Sequence, residues 1–257
     1  MITLASDFGE PYPAAMKGVL LSRTDAQLVD VAHNLPRQEP RTAAFWLRET
    51  LPWFPPAVHL AVIDPGVGTD RAALVVRAGE SALVGPDNGV LMPAARELGE
   101  PEVFAIDPHH GEFPATGGEG STFDGRDVFA PAVAAVHETG VDELEGLGWL
   151  SALDDPEELR FPEPDLRGRE ASGEVLVTDR FGNAITNIPG SLLEDRFGDE
   201  VAVNGTAVPA ERSYAGVEPG HRLVTVGSHG NVELAVNVGR GDDAFGVGVG
   251  SDVTISF

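Results

Sequence analysis

The chain has 257 residues, 17 Lys plus Arg against 41 Asp plus Glu, a formal net charge of −24, and no Cys. Phosphate backbones and anionic membranes are held by clusters of Lys and Arg, so this balance argues against both as partners, and the missing thiols exclude disulfides, thiol nucleophiles, thiolate zinc sites and iron–sulfur clusters. Hydrophobic content of 42% is too high for an acidic disordered tail, so a folded core is expected.

Short β-rich runs alternate with helical patterns through the first 150 residues. Residues 2–5, 27–31 and 58–63 read as strands, and 14–23 and 41–51 as helices between them. Further strands at 73–76, 82–84 and 103–106, with helices at 91–98 and 128–137, continue the α/β pattern. Residues 154–173, DDPEELRFPEPDLRGREASG, are rich in Pro and charge and lack a sustained apolar period, the mark of a linker. Beyond it, short alternating strands at 174–177, 201–203, 222–226, 232–237 and 253–257 are separated by Gly, Pro and Asn turns. The expected division is an N-terminal α/β domain over 1–160, a linker over 161–172 and a smaller all-β domain over 173–257. GVGVG at 246–250 lacks a preceding strand and a following helix, so it is expected to be a turn rather than a phosphate loop.

Lys17 is the only lysine, and the other 16 basic residues are Arg. Dense carboxylates with almost no Lys suit a salt-rich cytosol, where salt screens their mutual repulsion. Met1 leads into ITLASDFG with an acid at position 7 and no basic segment, so a signal peptide is not expected and cytoplasmic residence is. No apolar run reaches the roughly 18 residues of a membrane span.

The seven His are scattered, and the adjacent His109 and His110 point to opposite sides of an extended chain, which gives a metal site weak support. No HExxH, Walker loop or GxSxG occurs. What stands out is a set of Gly-rich polar turns directly after strands: SDFG at 6–9, IDPGVGTDR at 63–71, GPDNG at 85–89 and TFDGRD at 122–127. Any one of them is an ordinary turn. Four together mark the strand ends where α/β sheets collect ligands.

With AMKGVLL at 15–21 and TDRFGNAITNI at 178–188, these segments resemble, in order, the motifs of the S-adenosylmethionine hydroxide adenosyltransferases, relatives of the fluorinase and chlorinase. The resemblance implies hydrolysis of S-adenosylmethionine to adenosine and methionine, with no metal or other cofactor. It also implies an N-terminal α/β sandwich domain, a C-terminal barrel-like domain, and a homotrimer binding substrate between domains of neighbouring subunits.

Residue by residue, the resemblance places Asp64 and Arg71 beside the attacking water, the first to accept or orient its proton and the second as a fixed cation. The family's third such residue is a His, and Asp124 stands at that position here. A carboxylate there is either a second base or a like charge that raises its neighbour's pKa. Asp7 corresponds to the carboxylate that accepts both ribose hydroxyls, a task suited to two acceptor oxygens. Asp179 corresponds to the group facing the methionine ammonium, Asn183 to the amide reading the adenine edge, and Phe181 to a wall of that pocket. Ser228 falls where a hydroxyl meets the methionine carboxylate, Tyr214 is expected to stack on adenine, and Gln38 stands near the methionine side. Two alternatives remain open from sequence: a non-catalytic S-adenosylmethionine or adenosine sensor, and a halogenase, against which the acids at 64 and 124 argue by repelling halide.

Overall fold

In the computed structural model, which describes residues 1–117 and 123–257, the chain divides into two units, Met1–Arg160 and Phe161–Phe257. Thr122 of the TFDG segment lies outside the described residues.

The first unit is a seven-stranded sheet with helices against both faces. In chain order it runs β1 (Ile2–Ser6), α1 (Tyr12–Leu21), β2 (Leu28–Ala32), α2 (Pro40–Thr50), β3 (Val58–Val62), β4 (Ala73–Ala78), β5 (Ser81–Pro86), α3 (Met92–Leu98), β6 (Pro101–Ile106), α4 (Ala130–Thr139) and β7 (Leu150–Ala152). All four helices carry Pro at their first or second position, where the missing N–H costs no intrahelical bond and the fixed φ favours entry into the helix. The sheet order is β2-β1-β3-β5-β4-β6-β7. Strands β2, β1, β3 and β5 are parallel, while β4, β6 and β7 join antiparallel.

Alternate residues of the central strands serve different cores. Ile2, Leu4, Val58, Leu60, Val62, Val75 and Val84 pack with Met16 and Leu20 of α1 and Phe129 to Val136 at α4. The intervening Thr3, His59, Leu74, Val76 and Leu83 are also buried, on the face where α3 packs against α2, β4 and β5. Burial on both faces is why these strands read as nearly continuous apolar runs.

The second unit contains β8 (Asp165–Arg167), β9 (Glu170–Thr178), β10 (Ala184–Pro189), β11 (Glu200–Val203), β12 (Thr206–Pro209), β13 (Arg222–Val226), β14 (Asn231–Val236), the short helix α5 (Gly241–Phe245) and β15 (Asp252–Ser256). Its sheet order is β12-β11-β15-β9-β10-β14-β13, with β8 paired to β9. Ala210, the residue after β12, bridges Val224 of β13 at the other end of the sheet order, so the sheet nearly closes into a barrel. The segment 161–172, expected as linker, carries β8 and the start of β9 instead, because Gly168 at φ 60 turns the chain back into a hairpin. The 246–250 segment connects α5 to β15, and Gly246 at φ 65 ends the helix in the left-handed conformation.

Candidate active site

Strand direction gathers the polar turns at one edge of the first sheet. Because β1 and β3 are parallel with Ser6 opposite Val62, the residues that follow them, Asp7 and Ile63, leave the sheet side by side. The β5 strand is parallel to β3 and β4 antiparallel to β5, so the end of β5 and the start of β4 reach the same edge. The GPDNG turn braces the neighbouring loop there: Asn88 Nδ2 donates to the Ile63 carbonyl at 2.8 Å, and the Asp87 N–H donates to the Ala72 carbonyl at 2.9 Å.

Asp64 follows β3 and Arg71 precedes β4, so the 63–72 loop folds their side chains together. Arg71 Nε donates to Asp64 Oδ1 at 2.8 Å while Nη2 donates to Asp64 Oδ2, a two-pronged ion pair. The same Nη2 donates to Asp124 Oδ2 at 2.9 Å, and Nη1 donates to the Ala72 carbonyl at 2.9 Å. The Gly66 N–H adds a bond to Asp64 Oδ1 at 3.0 Å. Arg71 also lies over the Phe129 ring, 5.2 Å from its centre. Asp64 therefore has both oxygens taken by Arg71 in a side chain only 5% exposed, whereas Asp124 is 26% exposed. Among the described residues, Asp124 Oδ1 has no hydrogen-bond partner. Burial pushes the Asp124 carboxyl above its ordinary value; Arg71 pulls it back in part, and the charges of Asp64 and Asp127 add to the rise.

Asp124 is carried by a π-helical turn, Gly125–Phe129, that leads into α4. Single π turns inside helices frequently sit at functional sites. Gly125 has no room for a side chain: a Cβ there would lie 2.7 Å from the Phe123 ring and 2.9 Å from Met16 Sδ. Phe123, Phe8 and Tyr12 form an edge-to-face cluster with ring centres 5.5 to 5.9 Å apart, which joins the SDFG turn to the turn carrying Asp124.

Asp7 Oδ2 accepts the backbone N–H of Gln38 at 2.7 Å, with Gln38 held at φ 59; the Gln38 side chain is exposed. Sequence reading missed the support behind Asp7. Buried Ser6 bonds His33 Nδ1 at 2.8 Å, His33 Nε2 meets Asp30 at 3.0 Å, and Lys17, the sole lysine, pairs with Asp30 at 2.6 Å.

In the second unit, Asp179, Asn183 and Tyr214 come together. Asp179 Oδ1 accepts the backbone N–H groups of Phe181 and Asn183, each at 2.9 Å, and Oδ2 accepts Asn183 Nδ2 at 3.0 Å. Asn183 Nδ2 also lies 3.3 Å from the Tyr214 hydroxyl, which donates to Glu233 Oε1 at 2.5 Å. Gly182, at φ 87, closes the turn against Arg240, whose Cα would stand 3.0 Å from a Cβ there. The Phe181 ring is 78% exposed at the tip, and Ser228 lies on the exposed turn between β13 and β14 without a bond to Asp179, Asn183 or Tyr214. Glu233 was not singled out from sequence, although an acid inside the apolar run NVELAV that proves to be 3% exposed is the signal that marks it. Burial pushes its carboxyl above the ordinary value, the charge of Asp179 pushing the same way.

The model of the SAM hydroxide adenosyltransferase N-terminal domain matches residues 2–148, and that of the C-terminal domain matches 173–254. The chain belongs to the SAM hydroxide adenosyltransferase family. Similar proteins include the (R)-S-adenosyl-L-methionine hydrolases of Thermus thermophilus, 42% identical with 97% of each chain covered, and of Salinispora tropica, 39% identical with 99% of this chain and 97% of the other covered. The crystal structure of an uncharacterised conserved protein from Thermotoga maritima, 32% identical, superposes with a TM-score of 0.88 over the whole of both chains. In this member of the family, no helix among the described residues is long and apolar enough to cross a membrane. Nor, among those residues, do three or more His, Asp or Glu gather as they would to hold a metal ion.

Proposed function

We propose that this chain hydrolyses S-adenosyl-L-methionine to adenosine and L-methionine by in-line attack of water at the ribose C5′. The observation that carries the reading is one guanidinium bridging two carboxylates at the edge where β1, β3 and β5 end. Two carboxylates and one guanidinium leave a local charge of −1. That suits a sulfonium substrate and disfavours a halide nucleophile by direct repulsion.

The geometry supports distinct roles for the two acids. Asp64, held at both oxygens, fixes Arg71; Asp124, whose Oδ1 is unpaired among the described residues and whose basicity is raised by burial, is the general base. As the water oxygen bonds C5′, the C5′–S bond breaks and sulfur leaves with the bonding pair as neutral methionine. The water proton passes to Asp124. Methionine is already a good leaving group, so the protein's contribution is alignment, exclusion of bulk water and proton acceptance. In this reading Asp7 holds the ribose hydroxyls, Asp179 faces the methionine ammonium, Asn183 reads the adenine edge beside Phe181 and Tyr214, and Ser228 with Gln38 serves the methionine end. S-adenosylmethionine enters as substrate, with no further cofactor.

We further propose that the protein is a homotrimer in which the half-site of each unit is completed by a neighbouring copy. The covalent frame of that arrangement is the domain over 1–160 and the domain over 173–257, with 161–172 joining them through the β8–β9 hairpin. The composition favours a salt-rich cytoplasm as its setting.

The test is turnover in heavy-oxygen water at high salt, with mass spectrometry of the products. Heavy oxygen in the adenosine 5′-hydroxyl is the expected result. Intact substrate with binding still measurable by calorimetry would overturn hydrolysis in favour of a sensor.

A further inference from the structure

The Asn183 amide is held one way round. Asp179, as a carboxylate, only accepts, so the nitrogen of Asn183 must face it, and that nitrogen has two hydrogens. One goes to Asp179 Oδ2 at 3.0 Å and the other is directed at the Tyr214 hydroxyl at 3.3 Å. The hydroxyl is available as an acceptor because its own hydrogen is committed to Glu233 Oε1 at 2.5 Å. Glu233 is itself anchored: it lies on β14 between Thr225 of β13 and Ile185 of β10, and is 3% exposed. With both N–H groups spent inward, the amide presents only its carbonyl oxygen. Asn183 is 5% exposed, and among the described residues Oδ1 accepts no hydrogen bond. Oδ1 itself reaches solvent, so it is the one atom of the amide that stands open to a ligand N–H.

We infer that Tyr214 and Glu233 are positioning residues that fix the Asn183 carbonyl outward and thereby make the site select a 6-aminopurine over a 6-oxopurine. This rests on the proposed reading that Asn183 meets the adenine edge. A 6-amino group donates to Oδ1. A 6-oxo group meets it acceptor to acceptor, and the amide cannot turn to suit it without setting its oxygen against the Asp179 carboxylate. The Tyr214 hydroxyl, committed to Asn183 and Glu233, thus contributes through hydrogen-bond direction rather than through its ring alone.

The test compares inhibition of S-adenosylmethionine turnover by adenosine and by inosine, together with direct calorimetric binding of both nucleosides. Wild type is expected to prefer adenosine by on the order of 100-fold or more, since a site built around one hydrogen bond rejects the mismatched partner strongly. Tyr214→Phe and Glu233→Leu are expected to cut that preference to about tenfold or less, raising KM while leaving kcat within about threefold. Glu233→Gln, which keeps an acceptor for the hydroxyl, is expected to retain the wild-type preference.

Asn183→Ala separates the two claims. If it changes neither nucleoside affinity nor preference, the adenine contact is wrong and the inference falls with it. If it abolishes the preference while Tyr214→Phe and Glu233→Leu, folded by circular dichroism, keep it, the adenine contact stands and the positioning role is overturned. A wild type that binds inosine as well as adenosine overturns the inference outright.

Discussion

Replacing Arg71 by Met removes the cation that two carboxylates share. Both accepting oxygens reach the same Nη2, so without it they face each other across roughly 5 Å, and at an effective dielectric of about 20 their repulsion is about 3 kcal/mol. The Asp64 and Arg71 side chains are 5% and 12% exposed, so solvent relieves little of this, and breaking a buried pair from one side typically costs about 3 to 5 kcal/mol. The expected loss of unfolding free energy at pH 7 is therefore about 3 kcal/mol, measured by urea denaturation, with turnover, followed as adenosine release, falling at least 100-fold. Adding Asp124→Asn to Arg71→Met removes one of the opposed charges but leaves Asp64 buried without its cation, so it is expected to restore part of the stability and none of the rate. If Arg71→Met costs less than about 1 kcal/mol, or if the second substitution recovers nothing, the two carboxylates are not held against each other by Arg71 and the electrostatic account of the site is wrong.

Asp124→Asn alone removes the proposed base and is expected to lower kcat by a factor of about 10² to 10⁴ while changing KM little; an unchanged kcat would move the base elsewhere. Since burial raises the Asp124 carboxyl, the acid limb of wild-type kcat/KM is expected above the ordinary aspartate range, activity rising with pH as the base loses its proton, and Asp124→Asn is expected to lack that limb. His59 is 1% exposed, bonded through Nδ1 to Thr3 Oγ1 at 2.8 Å, and burial lowers its pKa from 6.5 to about 4. The fold holds it neutral and the unfolded chain protonates it first, so stability present above pH 6.5 is lost as the pH falls toward 4, by roughly 3 kcal/mol. In His59→Gln, urea midpoints across that window should decline less than in wild type; parallel declines would acquit His59. With a net charge of −24, raising KCl from about 0.1 M to 2 M is expected to raise Tm, as the screening length falls from about 10 Å to below 3 Å; a flat or falling Tm would refute the salt reading.

Much of the first unit is legible in the sequence because its central strands, β1, β3, β4 and β5, are buried on both faces and its helices open on Pro, so element type is written locally. The runs at 2–5, 58–63, 73–76 and 82–84 fall on β1, β3, β4 and β5. In the second unit β10 and β12 were not read, because NAITNIP and TAVP carry polar and Pro residues whose strand character comes from neighbours: β10 pairs with β9 and β14, and β12 with β11. The β8 strand lies in a charged, Pro-rich segment and exists because Gly168 lets it fold back on β9.

For the site, the sequence alone determined the polar turns at the strand ends and the acidic surface, since both are local in composition and spacing. It did not determine what meets what. Asp64 and Arg71 stand seven residues apart, and Asp124 reaches the same guanidinium from 53 residues further along only because α4 packs against the sheet beside β3. The same holds for Glu233, which the sequence shows as one acid in an apolar strand. Tertiary structure alone decides that β14 carries it under Tyr214 and Asn183, because hydrogen-bond direction is a property of groups brought together across strands and is not encoded in any one of them.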